Sequence, residues 1–285
     1  MGATTFRLAA AQPHVVVEPD AELNVARATD LVARAADGDA NLVLFPEGYP
    51  GPVLRRPEDT YDAAAAIQAA AAENDIAVCW SRMELCADSH YRLVVYVHDR
   101  TGYEVIRYER AHPATLPAEE TSVWVAPGEH LARFEIGGVR FGIVVCSELW
   151  IPEPTRVLAL EGAHVILSPA GGGFTSLADN WQAIVRVRAI ENLCYVAMTN
   201  NIWRDEEGAA LIAGPEQVEA ASGTDELLMA DIDLARTEWL RDHDDSLAEP
   251  KQFSSIPGLL RARRPELYEQ LSKPAEDLYD FHSPR

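Results

Sequence analysis

The chain has 285 residues, with 24 Lys and Arg against 45 Asp and Glu, and its formal net charge is −21 at pH 7. This acidic balance argues against binding to the phosphate backbone of a nucleic acid, because no cluster of basic residues interrupts it. No apolar run approaches the roughly 20 residues that a membrane-spanning helix needs, and the N-terminus lacks the charged and apolar regions of a secretory signal.

The first half of the chain alternates strand-like and helix-like segments, as a layered α/β protein requires. A strand over FRLAAAQ precedes a segment whose apolar residues recur at helical spacing until Gly38 ends it. The strand NLVLF, an Ala-rich helix around residues 61 to 73 and the strand IAVCW follow. RLVVYVHD and YEVIRYER then alternate like a hairpin across residues 100 to 102.

The second half repeats this alternation. A strand runs into Cys146, and a helix from Pro152 to Gly162, the strand HVILSP, a helix from about 178 to 192 and the strand CYVAMTN follow. The triple glycine at 171 to 173 lacks the spacing of a phosphate-binding loop and is not followed by a lysine, so nucleotide binding is not expected. We predict a loop at the rim of a site there instead.

Reactive side chains follow three of the predicted strands. Glu47 lies in a Pro/Gly-rich loop after NLVLF, Arg110 comes just after YEVIRYE, and Cys146 ends the strand FGIVV. Strand ends are where α/β proteins place their chemistry. A thiol at such a turn would be exposed near backbone N–H donors that favour the thiolate, whereas the alternative is an inert core cysteine.

The four cysteines stand at positions 79, 86, 146 and 194, without CxxC pairs or a His spacing that suggests zinc. We therefore predict a cytoplasmic protein with reduced thiols. We also expect no metal and no cofactor, since a thiol supplies its own nucleophile.

Four short motifs occur in order along the chain. They are Phe45-Pro46-Glu47, Cys146-Ser147-Glu148 followed by Pro152-Glu153, Arg188-Ala189-Ile190-Glu191-Asn192 with Tyr195-Val196-Ala197, and Gly214-Pro215. Together they resemble the carbon-nitrogen hydrolase (nitrilase) superfamily, and the resemblance runs from about residue 5 to 235. It implies a four-layer αββα sandwich of the α/β class, which we assign to residues 1–236, and subunits that form a homodimer or higher homo-oligomer. Residues 237–285 are then a C-terminal extension that packs on a partner subunit or is partly disordered.

The resemblance also implies a third catalytic residue, a lysine within a Tyr-x-Lys-x-His segment. Here that segment is Tyr108-Glu109-Arg110-Ala111-His112, so Arg110 stands at the lysine position. Lysine occurs only at positions 251 and 273, outside the part of the chain that carries the motifs. A guanidinium is broader than an ammonium and is effectively never deprotonated. A slow enzyme, a differently shaped substrate and a non-catalytic relative all fit this change.

The resemblance assigns roles to the remaining site residues. Glu47 would take the proton of Cys146, the thiol would form a thioester with the substrate, and Arg110 would stabilise the oxyanion. Glu120 resembles the second glutamate of the family. The predicted substrate-binding residues are Tyr49, Ser147, Trp150, Phe174 and Asn200. With Trp124 and Trp203, the aromatic ones could form an apolar wall or simply pack in the core, and Asn200 and Asn201 could bind substrate or build a turn.

Two classes of function fit these residues. The first is a cysteine-dependent hydrolase of a small-molecule amide substrate, either a linear amide or an N-carbamoyl compound, and retention of Cys146 and Glu47 favours it. The second is a catalytically weakened binding or regulatory protein, which Arg110 favours. A nitrilase acting on nitriles is a third variant, but nitrile-acting members of the family usually carry Trp directly after the nucleophile, where this chain has Ser147.

Overall fold

The structure is a computed structural model that describes residues 5–17, 19–52, 61–114, 125–172, 177–242, 259–273 and 278–281. The elements of the first half are β1 (Phe6–Ala11), α1 (Leu23–Asp37), β2 (Leu42–Leu44), α2 (Ala64–Glu73), β3 (Ala77–Leu85), β4 (Tyr91–His98) and β5 (Glu104–Glu109). Those of the second half are β6 (Ala132–Ile136), β7 (Val139–Ile143), a 3-10 helix (Cys146–Trp150), α3 (Pro152–Leu160), β8 (Val165–Ala170), α4 (Ala178–Asn192), β9 (Tyr195–Asn200), β10 (Ala210–Ala213), β11 (Val218–Ser222), β12 (Leu227–Ile232) and α5 (Leu234–Asp242). Short 3-10 turns follow at Pro265–Leu267 and Glu269–Ser272.

The strands form two six-stranded mixed sheets. The first has the order β12-β1-β2-β3-β4-β5, and the second has the order β11-β10-β9-β8-β7-β6. The inner strands β1, β2 and β3 run parallel in the first sheet, as do β7, β8 and β9 in the second. The carboxyl ends of parallel strands meet at one edge of a sheet, so the loops after β2, β7 and β8 lie at such edges.

Three apolar layers hold the sheets and helices together. Side chains of both sheets meet in the central layer, for example Leu44 of β2 and Ile143 of β7. A second layer joins the first sheet to α1 and α2, and a third joins the second sheet to α3 and α4. This arrangement of helices, two sheets and helices confirms the predicted four-layer αββα sandwich.

Most predicted elements appear close to their predicted bounds. The helical spacing of apolar residues in α1 corresponds to a buried face that includes Leu31 and Val32. The predicted hairpin is β4 and β5, and Gly102 in its turn has a φ of 80°, a left-handed conformation that glycine adopts without steric cost. Within the described residues, no helix is both long enough and apolar enough to cross a bilayer.

One further helix, α5, spans the position of the predicted domain boundary. Residue 236 falls inside α5, a helix that the sequence analysis does not predict. Leu240 on this helix is fully buried, and Arg241 donates to the main-chain oxygens of Leu193, Gly162 and Ala163. These contacts tie α5 to the second sheet and its helices, so the folded unit continues through Asp242.

Candidate active site

Glu47, Arg110 and Cys146 converge from three strand ends. Arg110 donates from Nη1 to Oε1 of Glu47 over 2.6 Å and from Nη2 to Oγ of Ser147 over 2.5 Å. The Cys146 thiol lies close enough to Glu47 and Arg110 for both of their charges to act on its pKa. A carboxylate, a guanidinium and a thiol therefore form one connected group where the two sheets meet.

The loop after β2 presents Glu47 by contacts with the second sheet. The main-chain N–H of Glu47 donates to the Ala170 oxygen over 3.2 Å, and Nδ2 of Asn201 donates to the Glu47 oxygen over 2.8 Å. The next N–H, that of Gly48, donates to Oγ of Ser81 over 2.7 Å. These contacts fix the main chain on both sides of Glu47, so its carboxylate is oriented before any substrate binds.

Cys146 sits on a sharp turn between β7 and the 3-10 helix. Its φ is 50°, a left-handed value that costs a residue with a Cβ about 1–2 kcal/mol. Glu148 holds this turn: its Oε2 accepts the Val145 N–H over 2.7 Å, and its Oε1 accepts the His112 N–H over 2.8 Å. Because Glu148 is almost completely buried, its charge is satisfied by these N–H donors rather than by water.

A buried arginine holds the other end of the same turn. Arg188 on α4 donates from Nε to the Leu149 oxygen over 3.0 Å and from Nη2 to the Trp150 oxygen over 3.1 Å. It also pairs with Glu191 one turn further along α4. The Arg188-Ala189-Ile190-Glu191-Asn192 motif thus supplies the side chain that binds the last main-chain oxygens of the turn after Cys146.

The environment of Cys146 disfavours the thiolate at rest. Burial and, after it, the negative charge of Glu47 raise the pKa of the thiol to about 12, although the Arg110 charge and the Gly171 N–H oppose the rise. The residue is half-buried, and the direction of its pKa differs from the thiolate-favouring environment that the sequence analysis expects. The arrangement is a neutral thiol beside a carboxylate that can accept its proton.

The structure places the predicted substrate-binding residues in different surroundings. Tyr49 is completely buried in the core, where its ring stacks on Phe45 and its hydroxyl donates to the Asn24 oxygen, so it offers no surface to a substrate. Trp150 is 39% exposed and packs edge-on against Trp181 of α4.

Two further predicted substrate contacts, Ser147 and Asn200, also lie in different surroundings. The hydroxyl of Ser147 is bound to Arg110, inside the group described above. The amide of Asn200 is used within its own turn, donating to the Asn201 oxygen and accepting the Ala209 N–H. Asn200 therefore builds the turn, and its neighbour Asn201 is the asparagine that reaches the candidate site.

Glu120, Phe174 and Trp124 lie outside the described residues. Trp203 borders an open cleft of about 560 Å³, which Val17, Arg204, Asp205 and Glu206 also line. Its indole N–H donates to the Gly171 oxygen over 2.8 Å, and the N–H of Gly171 bonds the Cys146 sulfur. The cleft is therefore one residue away from the thiol.

The sequence analysis assigns no role to Glu148, Arg188 or Ser81, and for Asn201 it leaves open a substrate contact or a turn. Glu148 and Arg188 stand within the motifs that carry the family resemblance, and this position is the signal that could have identified them as functional residues. Asn201 and Ser81 carried no local signal, because their partners lie 154 and 33 residues away in the chain. No group of three or more His, Cys, Asp and Glu side chains in the described parts of the chain could hold a metal ion.

A thiol beside a carboxylate and a cation, at the junction of two sheets in an αββα sandwich, is the arrangement expected of a cysteine-dependent hydrolase. Comparison with known proteins identifies the protein family. The model of the carbon-nitrogen hydrolase family matches residues 7–242. The chain belongs to this family.

Several relatives of the chain are named as amidases. The chain is 24% identical to N-carbamoylputrescine amidase of Arabidopsis thaliana, over 88% of this chain and 91% of that protein. It is 26% identical to omega-amidase NIT2 of Mus musculus, over 95% of this chain and 99% of that protein. A solved structure of a mutant amidase from Nesterenkonia sp. AN1 superimposes with a TM-score of 0.75 at 23% identity, covering 95% of this chain and 98% of that one, and it shows the acetamide moiety of fluoroacetamide added covalently at its active-site cysteine. Membership of this family makes the chain a hydrolase of carbon-nitrogen bonds.

Proposed function

We propose that the protein hydrolyses a small linear amide or an N-carbamoyl compound through a thioester on Cys146. The observation that carries this proposal is the position of Arg110, which binds the Glu47 carboxylate and the Ser147 hydroxyl next to Cys146. The names of the relatives, an N-carbamoylputrescine amidase and an omega-amidase, support a small substrate with a terminal amide or carbamoyl group.

Each group has a chemical task in this proposal. Glu47 takes the proton of Cys146 as the sulfur attacks the carbonyl carbon, and the Arg110 charge and the Ser147 N–H stabilise the oxyanion that forms. Glu47 then gives the proton to the leaving nitrogen as the carbon-nitrogen bond breaks. A water that Glu47 deprotonates hydrolyses the thioester and restores the thiol. Glu120, the predicted second glutamate, remains a prediction.

Release of ammonia from a panel of linear amides and N-carbamoyl amines tests this function. We expect turnover by the wild type and none by Cys146→Ala, and mass spectrometry of quenched wild-type reactions should show an acyl group on Cys146. Equal release by both proteins would contradict the proposal. A folded wild type that binds amides without turning any over would instead support the alternative of a binding or regulatory protein.

We also propose that the protein is cytoplasmic and forms a homodimer or higher homo-oligomer. Exposed apolar side chains on the adjacent helices α3 and α4 support association: Val157 is 41% exposed, Leu160 is 43% exposed and Val187 is 47% exposed. Light scattering coupled to size exclusion should give a multiple of the chain mass, and Val187→Glu should shift it towards one chain. A wild type that remains a monomer at micromolar concentration would exclude this proposal. Packing of the C-terminal extension on a partner subunit remains a prediction.

A further inference from the structure

The guanidinium of Arg110 is held at two points. Nη1 donates to Oε1 of Glu47 over 2.6 Å, and Nη2 donates to Oγ of Ser147 over 2.5 Å. Arg110 itself is only 2% exposed, so water does not compete for these nitrogens. Its Nε has no hydrogen-bond partner in the described part of the chain. The orientation of the guanidinium therefore depends on Glu47 at one end and on Ser147 at the other.

The other carboxylate oxygen of Glu47 lies on the side of the thiol. A methyl group added at Gly171 would be 3.1 Å from Oε2, and the N–H of the same residue bonds the Cys146 sulfur. Gly171 thus touches both groups. Oε2 is the oxygen that Arg110 does not bind, so it is the one available to receive the thiol proton.

A guanidinium can also bind a carboxylate through both carboxylate oxygens, and this arrangement would compete with the one seen between Arg110 and Glu47. Its two terminal nitrogens match the two carboxylate oxygens, and such pairs are frequently bidentate. In that arrangement Nη2 of Arg110 would bind Oε2 of Glu47. The base would then lose the oxygen that faces Cys146, and both of its oxygens would be tied to a cation.

We infer that Ser147 is a positioning residue, which holds Nη2 of Arg110 and so keeps the arginine on a single oxygen of Glu47. The inference rests on the proposed amidase function, in which Glu47 is the base. Ser147 is itself exposed at the start of the 3-10 helix, but its hydroxyl is directed to the buried guanidinium. A lysine at position 110 would not need this partner, because a single ammonium nitrogen cannot bridge two oxygens in the fork geometry. Ser147 and Arg110 therefore act as a pair.

A double-mutant cycle tests the pair: wild type, Ser147→Ala, Arg110→Lys and the double variant. A hydrogen bond to a charged group corresponds to about a tenfold or larger effect, so we expect Ser147→Ala to lower kcat about tenfold while KM changes by less than about twofold. In the Arg110→Lys background the same change should lower kcat by no more than about twofold. Ser147→Thr keeps the hydroxyl and should recover most of the wild-type kcat.

The rate at which iodoacetamide alkylates Cys146 at neutral pH provides a second readout that needs no turnover. It should rise in Ser147→Ala and return to the wild-type rate in Ser147→Thr, because an arginine bound to both oxygens of Glu47 weakens the negative charge that raises the pKa of the thiol. An equal loss of kcat in both backgrounds would overturn the inference, as would a loss confined to KM, which would make Ser147 a substrate contact. If the wild type turns over no amide but the alkylation rates follow the cycle, the proposed function fails and the pairing of Ser147 with Arg110 stands.

Discussion

The turn that carries Glu47 is held by neutral hydrogen bonds, whereas the turn that carries Cys146 is held by buried charges. Around Glu47, the partners are the amide of Asn201, the hydroxyl of Ser81 and a main-chain oxygen of β8. Around Cys146, they are the carboxylate of Glu148 and the guanidinium of Arg188.

The difference follows from the backbone at the two turns. Glycine occupies the left-handed position next to Glu47, since Gly48 has a φ of 69°, but Cys146 itself occupies the left-handed position in its own turn. A glycine adopts that conformation freely, while a cysteine in it is strained. Charge-assisted hydrogen bonds are about twice as strong as neutral ones. The strained turn is therefore the one that receives them.

The largest expected effect is that of Glu47→Gln, which removes the base but keeps its shape and its main-chain contacts. We expect kcat to fall by about 10²–10⁴-fold, the usual contribution of a general base. Ammonia release under saturating amide measures it. The melting temperature should also fall, because the buried guanidinium of Arg110 loses its charged partner while the main-chain contacts of the turn remain. A residual rate within threefold of wild type would remove Glu47 from the role of base.

A second effect concerns the pH at which Cys146 ionises. Because its pKa is raised to about 12, the thiol stays protonated through the neutral range, and its thiolate fraction increases about tenfold per pH unit. Alkylation by iodoacetamide should therefore accelerate by about 10³ between pH 7 and pH 10, without levelling off. The urea-unfolded protein is the control, and its rate should level off above about pH 9.

The variant Glu47→Gln gives a second test of the pKa of Cys146 by the same alkylation measurement. The negative charge of Glu47 raises the pKa of the thiol, so its removal should lower that pKa and speed alkylation at pH 10. The base variant would then be slower in turnover but faster in alkaline alkylation. A wild-type profile that levels off below pH 9 would show that burial does not control this thiol.

A third prediction tests the charged support of the nucleophile turn. Glu148→Gln replaces one of two accepting oxygens with an NH₂ group, which would face an N–H donor of Val145 or His112. An unsatisfied buried donor costs about 1–3 kcal/mol, so the free energy of unfolding should fall by that amount, together with kcat. Urea denaturation measures the loss. Glu104→Gln, at an exposed position, is the matched control and should change stability by less than about 0.5 kcal/mol.

The sequence predicts most helices and strand ends for a physical reason, whereas the four-layer arrangement is what the family resemblance implies. Apolar periodicity reflects burial, and burial decides which face of α1 or which strand lies inside. The direction of a side chain at a turn leaves no comparable pattern in the neighbouring sequence. Asn200 and Asn201 are adjacent and chemically identical, yet only Asn201 reaches Glu47. Tyr49 follows Glu47 closely and is predicted to contact the substrate, whereas its ring packs in the core against Phe45.

The smallest expected effect is that of Asn201→Ala, at the neutral support of the base. The variant removes one hydrogen bond to the Glu47 oxygen, and such a bond contributes about 0.5–1.5 kcal/mol. We expect kcat to fall about two- to tenfold and stability to fall by about 1 kcal/mol, less than in Glu148→Gln. Asn180→Ala, on an exposed position of α4, is the control for loss of an asparagine and should leave kcat unchanged. If Asn201→Ala destabilised the protein as much as Glu148→Gln, the neutral turn would depend on its contacts as strongly as the charged one, and the contrast between the two turns would not hold.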